Sequence, residues 1–421
     1  MENRNSILQR YKVLMVCLCG VFLWITVMAC TVYAAQAADS AEAGTNMHEE
    51  MASSKGRRVN KTRHLQVEEV AMERPTFVAS QYLQDMSLEE KVGQMIFLHY
   101  QGENVKTLKK YQFGGIILFA DFFKGKSSKA VVKGIAELQE TGKIPMLIGV
   151  DEEGGSVVRV SKYKALVSHK FLSPQELYAA GGMEEIIKDT GEKSKVLLEY
   201  GINVNLAPVA DVSTNRSDYI YARTFGRSAA KTAKYVEAVV GEMSKKQIGS
   251  VLKHFPGYGN NRDTHKGFAV DKRSYDSFTK SDFLPFQAGI EAGADSVLVS
   301  HNIVNCMDDK FPASLSPKVH GILRGDMHFN GVIMTDDLAM DAISEADFGE
   351  SPAVLAVMAG NDMIITMDYK RDVKDILQAV KDGKLSEKQI DQAVLRVLSW
   401  KLKLEILDET TGFGDYNISE R

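Results

Sequence analysis

The sequence predicts an α/β protein: a single (β/α)8 TIM-type barrel preceded by an export segment and a disordered stalk. Three observations carry that prediction. Short apolar runs alternate with helical patterns over residues 76–407, as βα units around a parallel sheet do. The chain has 421 residues, 44% apolar and 25% charged, enough for a large core, and such barrels commonly run to about 250 residues or more as one unit. The glycine-rich first turn often found in a doubly wound open sheet is missing.

Taken in order, residues 1–37 read as an export segment. Arg4, Arg10 and Lys12 precede an apolar run over 13–35, and Ala35-Gln36-Ala37 fits a small-residue cleavage site. The run is also long enough to span a bilayer, so a cleaved signal and a retained anchor both stay open. Lipidation at Cys30 is a third alternative. The protein is expected outside the cell or at its surface, touching membrane only through this segment. Cys17, Cys19 and Cys30 lie within it, which leaves Cys306 in the body and no internal disulfide. Residues 38–75 are polar with few aromatic or β-branched side chains, too little apolar surface to offset ordering entropy, and read as a disordered linker.

The body opens on Ser87-Leu88-Glu89-Glu90, a capping box. Apolar runs then fall at 94–98, 115–119, 145–150, 204–208, 250–253, 296–300, 332–335 and 363–366. Between them lie helical patterns, among them 129–140, 184–200, 229–246 and 370–381. A last helix over 387–404 leaves a tail at 408–421.

In such a barrel, chemistry sits where strands end. The third run ends in Asp151-Glu152-Glu153-Gly154-Gly155 with Arg159 beyond, and Arg223 follows the fourth. The fifth runs into Lys253-His254 and on to Asp263-Thr264-His265; the seventh ends in Asp336-Asp337. A fixed carboxylate such as Asp336 can stabilise or trap the cationic anomeric centre of a glycoside. The competing reading is that one of the two aspartates caps the helix beginning near Leu338. A histidine held by a neighbouring carboxylate, as His265 by Asp263, is suited to proton transfer near neutral pH, and Gly257 and Gly259 give it a mobile loop. Lys253 and His254 suit sugar hydroxyls, or Lys253 pairs with Asp151; both can hold at once.

These residues resemble glycoside hydrolase family 3 of the β-N-acetylglucosaminidase type. The resemblance rests on Lys253-His254-Phe255-Pro256-Gly257-x-Gly259 followed by Asp263-Thr264-His265. It is supported by Asp151-x-Glu153-Gly154-Gly155, Asn205-x-Ala207-Pro208-Val209-x-Asp211, Arg223-Thr224-Phe225-Gly226 and Thr335-Asp336-Asp337-Leu338-x-Met340. It covers roughly residues 80–405. It implies a retaining, cofactor-free exo-β-N-acetylglucosaminidase acting on peptidoglycan fragments or related oligosaccharides. Asp336 would be the nucleophile and His265, oriented by Asp263, the acid/base. Asp151, Arg159, Arg223, Lys253 and His254 would hold the terminal sugar. The loop departs from the family pattern: three residues, not four, separate Gly259 from Asp263, and Tyr258 stands where histidine is frequent. Glu405 occupies a position where glycine is common.

Other functions compete. A β-glucosidase or β-xylosidase would keep the mechanism and change the sugar. A metal-dependent hydrolase could use Lys253, His254, His301 and Asp368, although the first strand offers only His99 where such sites normally carry His-x-His. A non-catalytic sugar-binding barrel should have lost Asp336 or His265. The net charge of -4 and the absence of a basic stripe argue against nucleic acid.

Overall fold

A computed structural model describes residues 74–261, 269–344 and 348–408. The export segment, nearly all of the expected linker, and Asp263 and His265 lie outside the described residues. So does nearly all of the expected tail.

Eight parallel strands form the barrel: β1 Ile96–His99, β2 Gly115–Ile117, β3 Leu147–Val150, β4 Val204–Asn205, β5 Gly249–Phe255, β6 Ser296–Val299, β7 Val332–Thr335 and β8 Ile364–Thr366. From β1 to β7 each pairs with the next, and β1 pairs with β8. A bridge between Met334 and Met363 closes the ring, with the Met363 N–H donating to the Ile333 carbonyl at 3.1 Å. The predicted run at 204–208 contracts to two residues, since Pro208 has no N–H to give a ladder.

Side chains alternate across the wall as strand geometry requires. Phe97, Ile117, Leu147, Val204, Val251, Leu298, Val332 and Ile365 fill the interior, joined by Val397 and Trp400 of the helix Glu387–Lys403 and by Leu404, which caps it. Ile96, Leu98, Ile148, Val150, Leu252 and Val297 face the helices outside. Two glycines make room for the Phe97 ring. A Cβ on Gly115 would fall 2.2 Å from it, and one on Gly149 would fall 2.7 Å away.

The helices follow the predicted patterns, with one extension. The expected 184–200 helix is the second half of Pro174–Glu199, broken at Gly181 and Gly182. Capping boxes open three helices, Ser87 with Glu90, Ser173 with Glu176, and Ser386 with Gln389. Beyond the last helix, Glu405 takes the left-handed φ of 55° that a glycine would adopt freely. Its helix also buries a lysine completely: Lys401 Nζ donates to Gln94 Oε1 at 2.6 Å. Burial pushes its pKa down to about 7. Cys306 is an exposed free thiol. Among the described residues no helix is long and apolar enough to cross a membrane.

Candidate active site

At the carboxyl ends of the strands lies a cavity of about 660 Å3. Its polar wall grows from β3 and β5. Lys253, buried within β5, places Nζ 2.7 Å from Asp151 Oδ1 and 2.6 Å from Glu153 Oε1. The second oxygen of Asp151 accepts from Arg159 Nη2 at 2.9 Å. Arg223 grips Glu153 with two bonds, 2.9 and 2.7 Å long, and donates to His254 Nε2 at 3.1 Å. Because that nitrogen accepts, the hydrogen sits on Nδ1, which meets Asp211 Oδ2 at 2.7 Å.

Five charges thus share a nearly dry wall. Burial alone would push the Asp151 carboxyl up, but the Lys253 ammonium and Arg159 guanidinium hold it well below the usual carboxylate range. Glu153 is likewise pulled down against burial, by Arg223 and Lys253. Burial works against the Arg223 charge, yet Glu153 holds its pKa well above the ordinary value. Each charge depends on its partner, so removing one strands another in a low-dielectric site.

The Asp-Glu-Glu-Gly-Gly run divides its labour by alternation. Asp151 and Glu153 join the wall, while Glu152 turns behind it. The Glu152 carboxylate accepts from the backbone N–H groups of Arg159 and Val160 at 2.8 Å and from the Ser161 hydroxyl. It thereby shapes the loop that brings Arg159 back to Asp151. Gly154 has φ 98°, and a Cβ there would lie 2.1 Å from the Leu172 carbonyl oxygen.

Asp336 and Asp337 part company at the end of β7. The Asp336 N–H extends the ladder to Val299 at 2.9 Å, and its side chain lines the cavity. Asp337 does the turn-closing: its Oδ1 accepts from the Ala339 N–H at 3.0 Å, while Oδ2 meets His99 Nδ1 at 2.6 Å. The capping alternative therefore falls to Asp337 and leaves Asp336 facing the cavity. No long helix starts at Leu338; the short helix Asp341–Ser344 follows instead.

The structure brings Asp151, Arg159, Arg223, Lys253, His254 and Asp336 to one cavity. The approach to the loop bearing Asp263 and His265 is described on both sides. Arg273 Nη2 donates to the Gly257 carbonyl at 3.1 Å, and its guanidinium also grips Asp271 and Asp282. Asn261 Nδ2 reaches Asp271 at 2.7 Å. Tyr258 is buried with its ring edge-on to His254 at 5.4 Å, and its N–H donates to Asp211.

Sequence reasoning missed Asp211, Arg273 and the pairing of His99 with Asp337. The only signals were Asp211 within a family motif and His99 at a strand end. The residues weighed as metal ligands are engaged elsewhere. His254 is committed to Asp211, His301 Nδ1 to Ser314 Oγ at 2.7 Å, and Asp368 to Arg371 at 3.0 Å. Among the described residues no group of three His, Cys, Asp or Glu side chains could hold a metal ion.

A parallel barrel with a strand-end carboxylate, Asp336, lining a cavity braced by buried ion pairs defines an α/β-barrel enzyme site. Residues 87–400 match the glycosyl hydrolase family 3 N terminal domain, and the chain belongs to that family. Within it the chain falls with the hexosaminidases. It is 29% identical over 335 residues to the β-hexosaminidase LpqI of Mycobacterium tuberculosis, spanning 75% of this chain and 83% of the relative. The fold matches a family 3 β-N-acetylglucosaminidase from Paenibacillus with a TM-score of 0.71 and 30% identity, covering 80% of this chain and 65% of that longer one. The β-glucoside phosphorylase BglX is also similar, with a TM-score of 0.68 and 25% identity over 80% of this chain and 61% of that one.

Proposed function

We propose that the protein is a retaining exo-β-N-acetylglucosaminidase. The observation that carries this reading is the position of Asp336, lining the same cavity as Asp151, Lys253 and Arg223, which the Asp151–Lys253–Glu153–Arg223 ion-pair chain braces. In the first step an Asp336 oxygen bonds the anomeric carbon while His265 gives its proton to the departing glycosidic oxygen. In the second, His265 takes a proton from water, which displaces Asp336 from the sugar. Asp263 orients His265. Asp151, Arg159, Arg223, Lys253 and His254 hold the terminal sugar, with fixed donors and acceptors suited to neutral hydroxyls.

The names of the relatives support N-acetylglucosamine over glucose, and the resemblance of the signature loop supports fragments of peptidoglycan as the source. The basic and apolar order of residues 1–37 supports action outside the cytoplasmic membrane. The likeness to BglX favours one second reading, a β-glucoside substrate on the same machinery.

A paired assay separates them. Wild type and Asp336→Ala are compared on 4-nitrophenyl β-N-acetylglucosaminide and the corresponding β-glucoside. Turnover of the first alone, lost in the variant, is the expected result. Turnover of the glucoside alone would move the substrate class, and full activity in Asp336→Ala would remove the nucleophile assignment.

A further inference from the structure

The His99–Asp337 pair stands inside the cavity without a part in the reaction just described. His99 ends β1 and Asp337 follows β7, so the fold, with β8 between them, brings them together at 2.6 Å. An ionised carboxylate only accepts, so Nδ1 carries the hydrogen, and Nε2 when unprotonated offers its lone pair. The ring is held on its face as well, stacked on Phe119 with centroids 4.0 Å apart, and Phe119 in turn lies under the Arg159 guanidinium. Asp337 is fixed by the Ala339 N–H on its other oxygen and by its own N–H, which donates to Asp336 Oδ1 at 2.9 Å. Among the described residues, His99 Nε2 takes no hydrogen bond. The side chain is 21% exposed and lines the cavity.

A histidine with its tautomer set by a carboxylate, its ring clamped by stacking, and its second nitrogen open to the substrate cavity is arranged to meet a ligand. We infer that His99 is a further substrate-contacting residue: Nε2 accepts a hydrogen bond from an O–H or N–H of the terminal sugar. Asp337 is the positioning residue that holds the ring hydrogen on Nδ1 and the ring in place. The inference deepens the hexosaminidase reading and rests on it.

Two substitutions separate a substrate contact from a structural role. His99→Asn keeps a donor toward Asp337 and deletes Nε2, whereas His99→Gln restores an acceptor near the Nε2 position. Asp337→Asn leaves His99 in place but can donate to Nδ1, moving the ring hydrogen to Nε2 and turning the acceptor into a donor. The probe is 4-nitrophenyl β-N-acetylglucosaminide, with kcat/KM and the thermal midpoint measured for each variant. Losing one such bond is expected to lower kcat/KM by about tenfold in His99→Asn. Gln should recover part of the loss, and Asp337→Asn should match or exceed the loss in Asn with His99 intact. A kcat/KM unchanged in both His99→Asn and Asp337→Asn, beside normal Asp336-dependent turnover by wild type, overturns the inference and leaves the enzyme reading standing. Losses that only track the thermal midpoint, with no recovery in Gln, also overturn it. A wild type inactive on every glycoside removes both.

Discussion

Lys401 offers a prediction whose size follows from the structure. It is fully buried, and its ammonium donates to the neutral Gln94 Oε1. Its pKa is pushed down to about 7 from the ordinary 10.5. Between those values the unfolded chain binds more protons than the folded one, so stability rises with pH across the window. It falls as pH drops from 10.5 toward 7. At about 1.36 kcal/mol per pH unit, the buried lysine costs roughly 4 kcal/mol at pH 7 and roughly 2 kcal/mol at pH 9. Lys401→Met removes that cost but leaves Gln94 Oε1 unsatisfied, at about 1–3 kcal/mol. The variant should therefore be more stable than wild type by about 2 kcal/mol at pH 7, an advantage that fades to about zero by pH 9. Urea unfolding of both proteins at the two pH values measures it. A variant equally more stable at both, or less stable at pH 7, would refute the reasoning.

Three more outcomes test the packing and the wall. Gly149→Ala drives a Cβ to within 2.7 Å of the Phe97 ring; overpacking should lower stability by about 1–3 kcal/mol in the same urea assay. Glu405→Gly relieves a left-handed residue at φ 55° and should raise the thermal midpoint slightly, on the order of 1 kcal/mol of stability. Glu153→Gln leaves Lys253 and Arg223 sharing less negative charge in a buried site, and should cost on the order of 3 kcal/mol. It should also lower kcat/KM on the aryl N-acetylglucosaminide.

Much of this architecture was readable in the chain because it is local. The predicted run 332–335 is β7 residue for residue, and the Ser87 capping box is bonded as its spacing requires. Boundaries moved where a local rule competed: Pro208 cut β4 short, and Gly181-Gly182 hid the first half of Pro174–Glu199. The cavity-lining residues declared themselves because strand ends are where a barrel gathers chemistry. Their partners did not. His99 and Asp337 lie 238 positions apart, and Arg223 and Glu153 lie 70 apart; such pairs are made when strand ends gather around the barrel, which no periodicity records. Nor does position alone tell Asp336 from Asp337. The division appears only once the Ala339 N–H and His99 are seen to claim the second aspartate.

The central claim is that Asp336 forms a covalent bond to the sugar. The direct measurement is mass spectrometry of the protein incubated with a 5-fluoro N-acetylglucosaminyl fluoride, a substrate that slows the second step, followed by peptide mapping. The account predicts one sugar per chain, attached to the peptide containing Asp336 and absent in Asp336→Ala. An adduct on another carboxylate, or rapid turnover of that substrate with no adduct at all, would contradict it.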